Sequence, residues 1–572
     1  MTRRTGKILK LLLKACLFVL LVVLGIGISL LLWFGYEIGD YNIIPEYAKI
    51  SGFPGEEKTY LVVFQNNNEI RPAGGFITAY GLMKFNHGLF QDLQINNVYG
   101  TTDQHSYIEP PYPLNTMLDK DGQKLSYSFR DANFAPDFRY SAKNLEKMLK
   151  LTQKDLQVDG VIAINYSFLE DLLGKIGGVD VDRTKLDKNS LFSTLEYSVN
   201  DIDRHSLTDL ANRKDILKDF SKELIKKIVL HPLMIGDVLK VAHQSLDKKD
   251  IQIYFKDESL EKMAITRGWS GSWEEKTNSD LLALNTANLG GLKADRYISK
   301  NISYDLHIDK KSQKDDYKLS ATTKITLKYF GTENIPVSGD YNGFLRLYVP
   351  EGANLTSSDK NSIEDFSEHD EGYLHVYECF IKMKPGEEKS FSYTYYLPSS
   401  LIKDDKYSLF IPKQSGAVND SYTVVITLPN DYSLSSDTFQ TKENFALYNG
   451  RPDNNMSFNL SFKKGDRPPY AIYQNIDSLS KIKITFNKDV SPLEDSNFQI
   501  EDSNEKVPGS TDTIKILDVQ QTGPNVWLNV GGMTYQNEER YNILLKGVKD
   551  LDGNTINPDP RKITVVQRVP QN

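Results

Sequence analysis

Cysteine is nearly absent from this 572-residue chain: there are two. Cys16 lies in a long apolar run and Cys379 lies far outside it, so the pair offers no internal disulfide. Positive charge is not in excess either. The net charge is −8, although the first fourteen residues carry five cations (Arg3, Arg4, Lys7, Lys10, Lys14) and no acid. A nucleic-acid binder needs a basic face, so no nucleic-acid partner is expected. The eight histidines form no HExxH and no tight pair at ligand spacing, which speaks against a zinc centre. No GxSxG elbow and no Walker loop occur. Asp119-Lys-Asp-Gly122 and Asp550-Leu-Asp-Gly553 lack the terminal Glu of a calcium loop and read as turns. Cys379, in an alternating strand, reads as buried and inert.

What is present begins with topology. Ala15 to Phe34 contains no charged residue. At about 1.5 Å per residue such a run crosses a hydrocarbon core of roughly 30 Å as a helix. Basic residues precede it and Glu37, Asp40 and Glu46 follow, which places the N-terminus in the cytoplasm and the rest outside. A cleaved signal peptide is the rival, but its apolar region is usually about 7–15 residues and ends in small residues. This run ends in Leu-Leu-Leu-Trp-Phe. The expectation is a cell-membrane protein with one uncleaved span, residues 15–35, after a cytoplasmic tail, residues 1–14. Without disulfides, the ectodomain must rely on core burial, which its length permits.

The remaining chain changes texture twice. From 36 to 296, strand-like runs such as Tyr60–Phe64, Gln157–Ile164 and Ile251–Phe255 alternate with helical patterns, predicting an α/β layered domain. Ser141 reads as a helix cap, Ser167-Phe-Leu-Glu170 as a capping box, and Pro232 as the stop of a long helix from about Thr208. From 297 to 465 the helical signal disappears. Short alternating runs separated by Gly, Pro, Asn and Asp predict a β-sandwich. After the break at Gly465–Pro469, residues 466–572 form a last all-β unit, whose Asp552-Gly553 pair is a hairpin-turn signal. The fold class is therefore a membrane-proximal α/β domain followed by Ig-like β-sandwich domains.

Resemblances add to this. Ile482-Lys-Ile-Thr-Phe-Asn-Lys-Asp-Val490, Asn497-Phe498, Tyr541–Leu545 and Gly547-Val-Lys-Asp-Leu-Asp-Gly-Asn554 resemble a bacterial immunoglobulin-like domain of the surface-layer type. Arg71-Pro-Ala-Gly-Gly-Phe76, Phe129-Arg-Asp-Ala-Asn-Phe-Ala-Pro-Asp-Phe138, Gly177-Gly-Val-Asp-Val181 and Asn288-Leu-Gly-Gly-Leu-Lys293 together resemble the bacterial domain of unknown function 4012, over about 56–300. More distantly, Val161-Ile-Ala-Ile-Asn165, Leu172 to Val181 and Arg213 opening a long helix are similar to the LytR-CpsA-Psr family. That resemblance implies transfer of glycopolymers from polyprenyl-pyrophosphate carriers to the cell wall, with arginines on the pyrophosphate and aspartates with a metal. The chain departs from the family where Arg71 is followed by Pro-Ala-Gly-Gly-Phe rather than Asp-Thr, and where Gln94-Ile-Asn-Asn-Val98 stands in place of a second Arg-Asp element.

The candidate anion-binding residues are Arg71, Gly74, Gly75, Arg130, Arg213 and Lys214. Pro72 biases Arg71 toward extended backbone, and the glycines turn the chain at a strand end. Arg71 either pairs with a local acid such as Glu69 or receives phosphate through its planar fork. The glycine pairs either serve turns or present backbone N–H groups to an anion. Asp131 and Asp137 either hold a divalent cation or brace their own loop. Two functions compete. One is binding of a lipid-linked or anionic glycopolymer in envelope assembly, with a polyprenyl-phosphate-linked glycan or cell-wall polymer as partner. The other is a non-catalytic adhesion or scaffold role.

Overall fold

The computed structural model describes residues 43–566 apart from 99–106, 121–122, 182–183, 198–206, 274–277, 291, 311–316, 333–338, 443, 465–467, 503–513 and 534–539. The apolar run 15–34 and Cys16 lie outside the described residues. Among the described residues no helix is long and apolar enough to cross a membrane.

After helix α1 (Ile43–Ile50), the chain enters a mixed five-stranded sheet. Its strands are β1 (Glu57–Arg71), β2 (Gly74–Asn86), β3 (Leu89–Asn97), β4 (Gly160–Asn165) and β5 (Ile251–Phe255), in the order β3-β2-β1-β4-β5. β1 and β4 run parallel from Tyr60↔Gly160 to Gln65↔Asn165, and every other pair is antiparallel. Strand residues alternate between faces, so the two helical layers draw on different side chains. Leu61, Val63, Ile77 and Tyr80 pack with Phe138, Leu145, Met148 and Leu149 of α2 (Phe138–Thr152). On the other face, Ile162 and Ile164 meet Leu169, Leu172 and Leu173 of α3 (Tyr166–Ile176). That layer also holds α4 (Leu207–Leu230) and α5 (Ile235–Asp247).

Two caps sit differently from the sequence reading. α2 starts three residues before Ser141. Asp137 is its cap, with Oδ1 accepting Arg139 N at 2.9 Å, while Ser141 Oγ donates to Ala135 O at 2.8 Å. α3 is entered at Asn165, and Ser167 donates instead to Asp250 Oδ1 at 2.5 Å. Ser141 is thus taken up by the loop before its helix, and Ser167 by a partner 83 residues away.

The all-β region begins earlier than residue 297. Asp280–Leu281 (β6) pairs in parallel with Leu409–Phe410, and Ala283–Asn288 (β7) pairs antiparallel with Tyr348 to Gly343. These strands therefore belong to sheets built by residues far downstream. One core runs from Leu282 to Phe462, filled by Ile302, Tyr304, Leu306, Ile325, Leu345, Tyr377, Tyr395 and Val424 among others. The last unit has its own core, including Ile482, Ile484, Val526, Leu528 and Ile543. It is a pair of antiparallel sheets of four and three strands.

Candidate functional site

Arg71 ends β1 and is 2% exposed. Its guanidinium makes four hydrogen bonds within the protein. Nη1 donates to Asn288 O at 2.6 Å and Ile70 O at 3.2 Å, Nη2 to Glu69 Oε1 at 3.2 Å, and Nε to Asp131 Oδ1 at 3.4 Å. Its plane lies 5.1 Å from the Phe76 ring centre. The turn it opens is fastened to the β-rich region: Asn285 Nδ2 donates to Pro72 O at 2.9 Å, and Gln414 Nε2 to Arg71 O at 3.2 Å. The strand-end arginine therefore joins two units in the interior, where its local acid, Glu69, is one of its partners.

The other predicted residues do not converge on it as an open site. Arg130 is partly exposed, and its Nε donates to Ser128 Oγ at 3.2 Å. Asp137 holds Arg139 through both oxygens and accepts Trp273 N at 3.1 Å. Asp131 serves Arg71, and no metal-ligating group of three His, Cys, Asp or Glu occurs among the described residues. Gly75 lets strands approach, since a Cβ there would lie 2.3 Å from the Asn66 backbone. Gly74 has φ +138°. The side chains of Arg213 and Lys214, on α4, lie outside the described ones.

A polar cleft of about 400 Å³ opens elsewhere, at the carboxyl ends of the parallel pair β1–β4. Parallel α/β sheets usually bind ligands at that edge. Three stretches supply most of its walls, and Lys248, Asp250, Arg296, Pro452 and Asp453 complete them. Asn67 and Asn68 come from β1, Tyr166, Ser167, Glu170 and Asp171 from the first turns of α3, and Lys413, Ala417, Val418 and Asn419 from a loop of the β-rich region. That loop is anchored: Asn67 Nδ2 donates to Gly416 O at 3.3 Å, Asn165 Nδ2 to Ser415 Oγ at 3.0 Å, and Ser415 Oγ to Lys249 O at 2.6 Å. Arg296 pairs with Glu170 at 3.1 Å, and Lys248 lies 3.8 Å from Asp171. Burial pushes the Asp250 carboxyl up and the Lys413 ammonium down. Burial, with Lys413 nearby, brings Lys249 down to about 8. The cleft thus offers amide, hydroxyl, carboxylate and ammonium groups side by side, the donor and acceptor mixture that a polyhydroxylated or phosphorylated head group uses.

Beneath α3 lies a second, apolar cavity of about 140 Å³. Phe64, Ala79, Leu93, Ile95 and Ile164 form its sheet side, and Phe168, Leu169, Phe220, Leu224 and Ile225 its helical side. α3 is the shared wall. Tyr166, Ser167 and Glu170 face the polar cleft, while Phe168 and Leu169 line the apolar one.

Residues 55–199 match the family described as a protein of unknown function, DUF4012. The match takes in β1 to β4 and α3, and it stops before β5 and the Asn288–Lys293 segment. No curated protein matches the sequence. Among solved structures, TagV of B. subtilis aligns at 11% identity over 38% of this chain and 80% of its own, with a TM-score of 0.23. The Lin1025 protein of Listeria innocua aligns at 13% over 40% and 85%, TM-score 0.20. The N-terminal part of the bacterial S-layer protein SbsC aligns at 19% over 18% of this chain, TM-score 0.15, and only 24% of its own length is spanned. At these scores the likenesses carry no argument about function.

The cleft residues supplied by the β-rich region, Lys413 and Ala417 to Asn419, carry no sequence motif that reasoning could have used. Asn67 and Asn68 are not among the candidates either, although the polar run Gln65-Asn-Asn-Asn68 inside a strand ahead of Arg71 is a signal that could have pointed to them.

Proposed function

We propose that the chain binds a lipid-linked glycan or anionic glycopolymer of the cell envelope, with the head group in the polar cleft and the adjoining stretch of lipid in the apolar cavity. The observation that carries this reading is the single helix α3 walling both spaces, polar on one side and apolar on the other. A ligand of that dual chemistry spans the helix's first turns without leaving either environment unmatched. The sites first suggested by Arg71 and Arg130 play no part in it. Asn67, Asn68, Lys413 and Asn419 are the contacts proposed for the head group. No transfer step is assigned.

The rival, a binding or scaffold role of the β units alone, is favoured by the mutual pairing of Glu170 with Arg296 and Asp171 with Lys188 at 2.9 Å. The two are separated by titrating the full chain with a polyprenyl-phosphate analogue. Leu224→Trp, which fills the cavity from a half-buried helix position, is expected to weaken binding tenfold or more while the melt stays near that of the parent. Unchanged affinity in a normally folded variant overturns the lipid site.

A further inference from the structure

One end of the α/β sheet carries exposed apolar side chains among charged ones such as Glu56 and Glu57. At the amino ends of β1 and β4, register places Glu57 against Asn86 and Tyr60 against Gly160. The β2–β3 hairpin tip sits there, with Gly88 N donating to Ser51 O at 3.0 Å and its α-carbon beside the Phe53 ring. Phe53 is 63% exposed and Leu89 68%, with Phe90 next to it also exposed.

A second exposed apolar corner, between α4 and α5, lies at the same end. α5 finishes near the opposite edge, since Asn165 N donates to Asp250 O at 2.8 Å just before β5 begins. Its thirteen residues span about 20 Å, which returns its start to the end where Phe53 lies. Lys175, in the last turn of α3, pairs there with Asp237 at 3.1 Å, and Lys227 of α4 donates to Gly178 O. The corner itself presents Val229, Leu230 and Leu233, the last 91% exposed. Lys222 and Lys226 follow the same helix at exposed positions, Lys226 paired with Glu223 at 3.0 Å.

We infer that this end of the α/β unit is seated in the headgroup layer of a lipid bilayer. The occupant follows from where the chain enters. α1 leads into β1 at this end, and only eight residues separate its start, Ile43, from Phe34, the end of the uncharged twenty-residue run. Fully extended, that connection reaches about 30 Å at most. The span expected of residues 15–34 would therefore hold the end bearing Phe53, Leu89, Leu230 and Leu233 close to the membrane surface. Apolar side chains with lysines beside them are the composition that settles into that layer. The inference goes beyond the proposed ligand and does not depend on it. It also sets the polar cleft on the side facing away from the bilayer.

The test uses the full chain carrying Cys16→Ser, which leaves only the buried Cys379, reconstituted into phosphatidylcholine–phosphatidylglycerol vesicles. A polarity-sensitive fluorophore is attached in turn to Leu233→Cys, Phe53→Cys and Val418→Cys, the last at the exposed cleft edge. Labels at 233 and 53 are expected to shift to the blue and to be quenched several-fold more by brominated lipid than by aqueous iodide, with the reverse at 418. Labels at 233 and 53 as open to iodide as that at 418 overturn the inference. So do labels shielded from both quenchers, which would mean that protein covers the patch, and so does a chain that fails to remain with the vesicles. Binding of the polyprenyl-phosphate analogue, measured on the same samples, reports on the cleft separately.

Discussion

Arg71 shows how a residue that looks poised for a ligand can be used up by its own fold. Four acceptors surround it, two of them acidic side chains less than a tenth exposed. Removing one partner of a buried ion network leaves the others uncompensated, at a cost of roughly 3–5 kcal/mol. Arg71→Ala is therefore expected to lower the denaturation midpoint markedly, and Arg71→Lys to follow in part because a single ammonium cannot reproduce the fork. Urea unfolding of both variants checks this; midpoints equal to the parent's contradict it. Asp280 supplies the pH-dependent counterpart. It is 1% exposed, accepts from the hydroxyls of Tyr304 and Tyr407, and burial pushes its carboxyl up from 3.8 to about 6. Between pH 4 and 6 the folded state then holds a proton that the unfolded state has released, so this group's contribution to stability falls as pH rises through that window. Relative to the parent, Asp280→Asn should gain stability as pH goes from 4 to 7, by an amount on the order of 3 kcal/mol. Paired unfolding curves at the two pH values measure it, and a difference that does not vary with pH rules it out. Cys379 sits as its alternating strand implied: 1% exposed, with its thiol pushed up to about 12 by burial.

At the scale of elements, what the sequence makes legible is what local periodicity controls. The long helix ends at Leu230 ahead of Pro232, β5 occupies Ile251–Phe255, and the alternating runs from Lys318 to Tyr329 and from Ser390 to Leu397 are strands in a seven-stranded sheet. What stays hidden is pairing across distance. β6 and β7 are short, and nothing in Asp280–Asn288 tells whether its partners lie before or after it. They lie 55 to 129 residues later, from Asn288↔Gly343 to Asp280↔Leu409. The cleft was hidden for the same reason, because one wall arrives from residues 413–419. β7 gives the sharpest expectation. Leu284 is 2% exposed and packs in the central core, and truncating a buried leucine costs roughly 2–5 kcal/mol. Leu284→Ala should therefore speed amide exchange in 341–350 and 374–383. Faster exchange confined to 57–165 would show that β7 belongs energetically with the α/β sheet.

For the whole molecule, the boundary at 296 divides a structure that the interactions hold together. A fragment of residues 36–296 ends in two strands without partners, and it lacks Gln414, which bridges Arg71 O and Thr286 in the complete chain. It is expected to be aggregation-prone and to show no cooperative melt. Residues 467–572, with their own core, should unfold cooperatively as an isolated β domain. Circular dichroism melts of the two fragments decide this: a sharp transition in the first, or a disordered spectrum in the second, refutes the division.

The loop that closes the cleft has a consequence for mechanics. Residues 413–419 join the strand at Lys406–Ile411 to the strand at Asp420–Thr427, and they hold the ends of β1 and β4 through Gln414, Ser415 and Gly416. If one end of the chain is fixed in a bilayer and the other is tugged from outside, tension passes along those strands and across the floor of the cleft. The last β unit lies in series beyond them, with Asn487 Nδ2 donating to Asn430 O at 3.0 Å at the joint. Extension taken up by unfolding of that unit, as in a shock absorber, would leave the recess its shape. Load reaching the central strands would pull the loop away from Asn67 and Asn165 and open the recess.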